Sequence, residues 1–171
     1  VPGRGPALAV TARLCEELPE GGVAVALAGE LKAIGDRCEG IKSTNRLRNV
    51  LAREAGLAQG AWEVLFATTE GDLSEGTITN LFAAVPGPGG ARLVTPAEER
   101  GCLAGIVRNQ VIADLLREPL LVGGRAIPIV VGRLHDEDLE SATEVFLTNT
   151  TRRVIPVREV LGKAVHLLGV E

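Results

Sequence analysis

The sequence predicts a mixed α/β domain of the α+β type, in which hairpin-connected strands are accompanied by two main helices. Three observations carry this expectation. Short apolar runs of strand type alternate with Gly- and Pro-rich turns. Two segments place apolar residues at helical spacing. The length of 171 residues, 46% of them apolar and 23% charged, suits one domain with a buried core.

The elements follow in order. Val1-Pro2-Gly3-Arg4-Gly5-Pro6 is punctuated as a linker. Ala7 to Arg13 alternates loosely and is expected as a strand, and Val23 to Leu27 is a short apolar strand after the Glu20-Gly21-Gly22 turn. From Arg46 to Ala55, Leu47, Val50 and Leu51 fall at i, i+3, i+4, which predicts a helix capped by Asn45 and stopped by Gly56. Trp62 to Thr68 is a strand. The Glu70-Gly71-Asp72 turn leads into the extended Leu73-Ser74-Glu75, and Thr79 to Val85 is the next strand. Pro86 to Gly90 reads as a wide turn before a strand at Arg92 to Thr95. Leu103, Ile106, Val107, Val111, Ile112 and Leu115 mark a second helix over about 104–116. Short strands at 128–131, 144–147 and 154–157, with an acidic helical turn at 135–142, complete the chain.

Composition excludes several functions. The net charge of -4 and the 2% aromatic content argue against a nucleic-acid surface. No apolar run is long enough to span a bilayer, and no signal peptide is visible. Cys15, Cys38 and Cys102 are odd in number and far apart, which fits a reducing, cytoplasmic setting. No cluster of Cys and His suggests a metal, and no phosphate loop, dinucleotide fingerprint or nucleophile elbow is present. His135 and His166 are isolated, the former in an acidic stretch that reads as solvated surface. Cys102 reads as a small packed hydrophobe. Against fifteen arginines there are three lysines, Lys32, Lys42 and Lys163, so amine chemistry has three candidates.

Six segments then stand in a telling order: Gly40-Ile41-Lys42-Ser43-Thr44-Asn45-Arg46-Leu47, Gly71-Asp72-Leu73-Ser74-Glu75-Gly76, Thr79-Asn80-Leu81-Phe82, Thr95-Pro96, Gly101 to Arg108, and Glu144 to Thr151 ending in Ile155-Pro156-Val157. In this order the set resembles the class IV aminotransferase family, pyridoxal-phosphate enzymes of fold type IV. The family includes branched-chain and D-amino-acid aminotransferases and 4-amino-4-deoxychorismate lyase. The resemblance covers about 23–157. It implies the large, C-terminal domain of the D-amino-acid aminotransferase-like fold and pyridoxal 5′-phosphate as cofactor. It also implies a homodimer, and an amino or keto acid or aminodeoxychorismate as substrate.

The chemistry of the residues agrees. An amine that attaches an aldehyde cofactor must be neutral part of the time, and desolvation or nearby cations make it so. Taken alone, Lys42 reads as an exposed surface lysine; among these segments it is the expected attachment point, with Arg46 and Arg48 close in sequence. Lys32 and Lys163 are read as surface lysines. Glu75 maps onto the family carboxylate that keeps the cofactor's ring nitrogen protonated. Gly105, Ile106 and Val107 open the second helix and match the family's phosphate-binding turn, with Val107 where a Thr is usual. Asn149 and Thr150 map onto the second phosphate contact. Asn80 is expected to order the strand crossing near Glu75, and Arg108 to make a structural ion pair.

Within the family, Gly-Ile-Lys-x-x-Asn-Arg-Leu and Asn149 look closest to the lyase. The Lys-Ser-x-Asn pattern is shared with D-amino-acid aminotransferases, so amino exchange stands as the alternative. Family members also carry an N-terminal domain that supplies a phosphate-binding Arg and much of the substrate pocket. Residues 1–22 are expected to be the tail of such a domain, and 23–171 the cofactor-binding domain. On that expectation the chain alone binds the cofactor weakly, and a cofactor-domain fragment without turnover is the competitor from another class.

Overall fold

The computed structural model describes residues 8–12, 14–15 and 17–161. Val23–Lys32 (β1) starts as a buried apolar strand and runs five residues further than the sequence suggests. The extension contains Gly29, Glu30 and Lys32, which carry no strand signal. They are held by continued pairing, Leu31 with Ala67 and Lys32 with Thr68. Of the expected strand at 7–13, the residues described, 8–12, are irregular and exposed; the rest lies outside the described residues.

Helix Leu47–Leu57 (α1) follows, then strands Glu63–Thr68 (β2), Leu73–Gly76 (β3), Asn80–Gly87 (β4) and Gly90–Pro96 (β5). Helix Ile106–Arg117 (α2) comes next, then strands Leu120–Val122 (β6), Arg125–Ile127 (β7) and Ile129–Gly132 (β8). Helix Asp136–Ser141 (α3) precedes strands Glu144–Asn149 (β9) and Arg153–Val160 (β10). Eight strands form one mixed sheet in the order β3-β2-β1-β10-β9-β4-β5-β8. The β1 strand pairs parallel with both β2 and β10, and β5 pairs parallel with β8; the remaining neighbours are antiparallel. The sheet curls until its two ends meet. Asp72, before β3, bridges to His135, after β8, and the Leu73 amide donates to the Leu134 carbonyl at 2.7 Å. Closure of this kind removes exposed strand edges.

The curl encloses the main core. Val23, Val25, Leu65, Leu81, Leu134, Leu147, Ile155 and Val157 are all fully buried in it. Alternation sends Ala26, Val64 and Phe66 to the outer face, where they meet Ala52 of α1. Gly56 is part of this contact. The helix continues through it to Leu57, and a Cβ there would collide with Val64 Cγ2. Gly56 is thus small because α1 lies directly on β2, and it is not the stop that its composition suggests. The helix also begins at Leu47 behind Arg46, with no side-chain cap, so Asn45 does not cap it.

Two turns differ from expectation. The wide turn at 86–90 is a tight hairpin, because β4 runs through Pro86 and Gly87 pairs with Gly90. Only Pro88 and Gly89 form the corner, and Gly89 takes φ +88°, which suits glycine. The β6–β7 hairpin has no counterpart in the sequence reading. Its signal was the Gly123-Gly124 pair, both at positive φ, between Val122 and Arg125, which pair across the turn.

Candidate functional site

Glu75 sits in β3 and is 3% exposed, so it is no solvent-facing strand residue. One carboxylate oxygen, Oε1, accepts a hydrogen bond from Lys32 Nζ at 2.7 Å. The other, Oε2, accepts from the Leu103 amide at 2.9 Å and from Asn80 Nδ2 at 3.3 Å. Asn80 Nδ2 also donates to the Leu103 carbonyl at 2.9 Å. Asn80 therefore ties β4, the Glu75 carboxylate and the segment leading into α2 to one another, the ordering role expected of it.

That segment needs its glycine. A Cβ on Gly105 would collide with Asn80 Oδ1, so only glycine lets the start of α2 pass so close to β4. Arg108, one turn further on, is 2% exposed. Its Nη2 donates to the Pro96 carbonyl at 2.7 Å, and its Nη1 lies 3.6 Å from Glu98. Arg108 is the structural tie foreseen for it, and it fixes α2 to the end of β5. The amides of the first helical turn have no partner within the helix and form a natural anion cradle.

A cleft of ≈ 330 Å³ opens at this helix start. Its walls include Lys42, Arg46, the 76–80 turn, Leu103 to Val107, and Thr148, Asn149 and Thr150. The structure thus brings Lys42, Gly105, Ile106, Val107, Asn149 and Thr150 to one cavity. Glu75 lies behind it, joined through Asn80. The Asn149 side chain serves its own turn, with Oδ1 accepting from the Thr151 and Arg152 amides at 3.2 and 2.8 Å. The Thr148 hydroxyl, in the cleft wall, is buried without a hydrogen-bond partner among the described residues.

The lysines are distributed differently from expectation. Lys42 is exposed at the cleft. Lys32, expected at the surface, is 1% exposed. Burial pushes its pKa below the ordinary lysine value, opposed by Glu75, with Arg48 and Arg46 adding to the lowering. The desolvation and neighbouring cations that pointed to Lys42 therefore act on Lys32. The correction has a simple origin: the extension of β1 carries Lys32 under the site, and no local pattern announced it. Lys163 and His166 lie outside the described residues.

A second buried carboxylate also went unforeseen. Glu63 is 1% exposed and collects the 77–79 turn. It accepts from the Thr77 amide at 3.1 Å, the Thr77 hydroxyl at 2.5 Å, the Ile78 amide at 3.1 Å and the Thr79 hydroxyl at 2.9 Å. This turn is a wall of the cleft, so Glu63 shapes the cavity from beneath. A lone Glu at the start of an apolar strand gives no sign of such partners. Cys102 is buried as a packed hydrophobe, and desolvation pushes its thiol up to about 11. His135 is exposed at the start of α3. Among the described residues no cluster of His, Cys, Asp and Glu could hold a metal ion.

Comparison with known proteins gives the family and the fold. The chain belongs to the class IV aminotransferase family, whose model matches residues 2–160. A D-alanine aminotransferase from Bacillus licheniformis is 29% identical over 150 residues, which is 88% of this chain and 48% of that protein. The branched-chain aminotransferase of Thermoproteus uzoniensis, solved with norvaline, superposes with a TM-score of 0.75 at 28% identity, over 90% of this chain and 48% of the other. The 4-amino-4-deoxychorismate lyase of Pseudomonas aeruginosa gives 0.71 at 28% identity, over 87% and 51%. The chain spans about a third to a half of the length of the curated relatives it matches. The fold is the mixed α/β one expected, and homologues in this family are pyridoxal-phosphate-dependent aminotransferases and lyases.

Proposed function

We propose that the protein uses pyridoxal 5′-phosphate, attached to Lys42, to release pyruvate and 4-aminobenzoate from 4-amino-4-deoxychorismate. The observation that carries the cofactor part is the single cleft onto which Lys42, the start of α2 and the end of β9 with Thr150 all open, with Glu75 behind it. The residues fit the group. A phosphate suits the amides of Ile106 and Val107, which open α2 on the wall of the cleft. The buried Thr148 hydroxyl in the cleft wall has no hydrogen-bond partner among the described residues. When bound, the cofactor supplies an electron sink for the bond broken next to the substrate's amino group.

Of the described lysines, Lys42 suits attachment and Lys32 does not. An ammonium has three donors. Those of Lys32 face three acceptors, Glu75 at 2.7 Å, the Gly101 carbonyl at 2.8 Å and Glu39 at 3.1 Å. Lys32 is a fully committed buried cation. Lys42 is open to the cleft, able to attach the cofactor and then to carry a proton. Glu75 would hold a proton at the ring nitrogen, and the α2 amides with Thr150 would hold the phosphate.

The lyase reading is supported by the Gly40 to Leu47 segment, by Asn149 and by the superposition on the Pseudomonas enzyme. Amino exchange is the second reading, favoured by curated relatives described as branched-chain and D-alanine aminotransferases. Residues 23–171 are proposed as the cofactor domain of a homodimeric enzyme in the cytoplasm. The test has two parts. Borohydride reduction and peptide mapping should place the pyridoxyl label on Lys42, and a label on Lys32 or Lys163 would overturn the assignment. Assays of the full-length protein should show 4-aminobenzoate release; amino exchange without it would establish the second reading.

Glu75→Gln should leave cofactor affinity nearly unchanged and lower turnover by roughly 10²–10³-fold, the effect of losing one preorganised electrostatic partner. The fold should tolerate the change because Glu39 still pairs with Lys32. Wild-type turnover in this variant would remove Glu75 from the site.

A further inference from the structure

Behind the cleft wall, four charged side chains form an alternating chain. Arg48 pairs with Glu39, Glu39 with Lys32 at 3.1 Å, and Lys32 with Glu75 at 2.7 Å. They come from four elements: Lys32 from β1, Glu39 from the loop before α1, Arg48 from α1 and Glu75 from β3. Lys32 and Glu75 are almost fully buried, Glu39 is mostly covered, and Arg48 at the outer end of the chain is 34% exposed. Burying one carboxylate without a cation costs several kcal/mol, which is why such charges come paired. We propose that Lys32 is a positioning residue: its ammonium fixes the Glu75 carboxylate and sets the charge that the cofactor's ring nitrogen meets.

The geometry makes the role specific. Lys32 takes Glu75 Oε1 from below, while Leu103 and Asn80 take Oε2 from the α2 side. Held at both oxygens, the carboxylate has no freedom to rotate. The anchoring of Lys32 is independent of the cleft. Its third donor goes to the carbonyl of Gly101, which takes φ +76° to close the turn after Glu98–Arg100. The Phe66 ring lies 5.5 Å from Nζ and walls off water on the remaining side. The charged groups around Lys32 are Glu75 from β3, Glu39 from the loop, and Arg46 and Arg48 at the start of α1. The Cys102 thiol beside them stays neutral, since burial pushes it up to about 11.

This inference rests on the pyridoxal-phosphate reading, and the experiment separates the two. Lys32→Met, Lys32→Arg and Glu39→Gln are made in the full-length protein and loaded with pyridoxal 5′-phosphate. Each is followed by the bound cofactor's absorbance across pH and by borohydride peptide mapping. Removing a buried positive charge eases protonation nearby, so Lys32→Met should move the spectral midpoint up by about one pH unit. Lys32→Arg should return it to within a few tenths of wild type. Glu39→Gln removes a negative charge and should move it down, which keeps the test alive if Lys32→Met does not fold. The label should remain on Lys42 in each. A wild-type midpoint in Lys32→Met, or in Glu39→Gln where Lys32→Met is lost, would overturn the role of Lys32. So would an Arg variant as displaced as the Met variant. Absence of label from every variant and from wild type would instead overturn the cofactor reading and this inference with it.

Discussion

Replacing Lys42 with Ala should abolish borohydride-trapped label and lower turnover by at least about 10²–10⁴-fold, while leaving the melting temperature almost unchanged. The kinetic loss is the size expected when a positioned proton carrier is removed, and it grows when the same amine also attaches the cofactor. The stability should hold because Lys42 is exposed at the cleft, where surface substitutions usually stay within about ±0.5 kcal/mol. Lys32→Ala should behave in the opposite sense and destabilise the fold, because it takes the near cation from the buried Glu75 carboxylate and one of two cations from Glu39. The pair of variants therefore separates a lysine that works from a lysine that holds. Turnover at the wild-type rate in Lys42→Ala would end the proposed attachment, whatever the behaviour of Lys32.

These two lysines also show what the sequence makes legible. The Gly40 to Leu47 segment, Glu75, Gly105 to Val107 and Asn149-Thr150 are local patterns, each readable over a few residues, and their order along the chain reveals the family. The helix over 104–116 and most strands follow from apolar spacing that the core then uses, as with Val23, Val25, Leu65 and Leu147. Other features depend on partners distant in sequence. Lys32 is buried only because β1 continues beyond its apolar run along β2, and Glu75 lies 43 positions away from it. Glu63 meets its partners 14 to 16 positions later. Gly56 resembles a helix stop, and only the presence of Val64 beneath it shows that it is a packing residue. Burial of a charged residue is decided by tertiary contacts, and a single sequence records the charge without the contact.

The same reasoning applies where the sheet closes on itself, and there the largest loss of stability is expected. Asp72 is fully buried at the bridge to His135. Arg100 reaches it with Nε at 2.6 Å and Nη2 at 2.8 Å, and the Thr68 hydroxyl adds a bond at 2.5 Å. The same guanidinium holds Glu70 at 2.8 Å, and Arg133, just after β8, pairs with Glu70 from the other side of the closure. Burial works against ionisation of Asp72, yet the hydrogen bonds from Arg100 and Thr68 outweigh it and hold the carboxyl below its ordinary range. Glu70 is likewise held low, chiefly by the Arg100 hydrogen bond. A carboxylate with a depressed folded pKa contributes stability above its unfolded value, near pH 4, and loses it as pH falls through the folded value. Arg100→Leu leaves Asp72 buried without its cation, a change that typically costs about 3–5 kcal/mol. For a chain of this length that corresponds to roughly a 10 °C drop in melting temperature at neutral pH. The difference between wild type and variant should narrow on acidification, because wild type loses its ion pair while the variant's Asp72 is relieved by protonation. Melting curves of the two proteins from pH 7 down to pH 3 read both effects. A gap that stays constant with pH would show that Arg100 acts by packing alone, and equal melting temperatures at pH 7 would show that the closure does not depend on this pair.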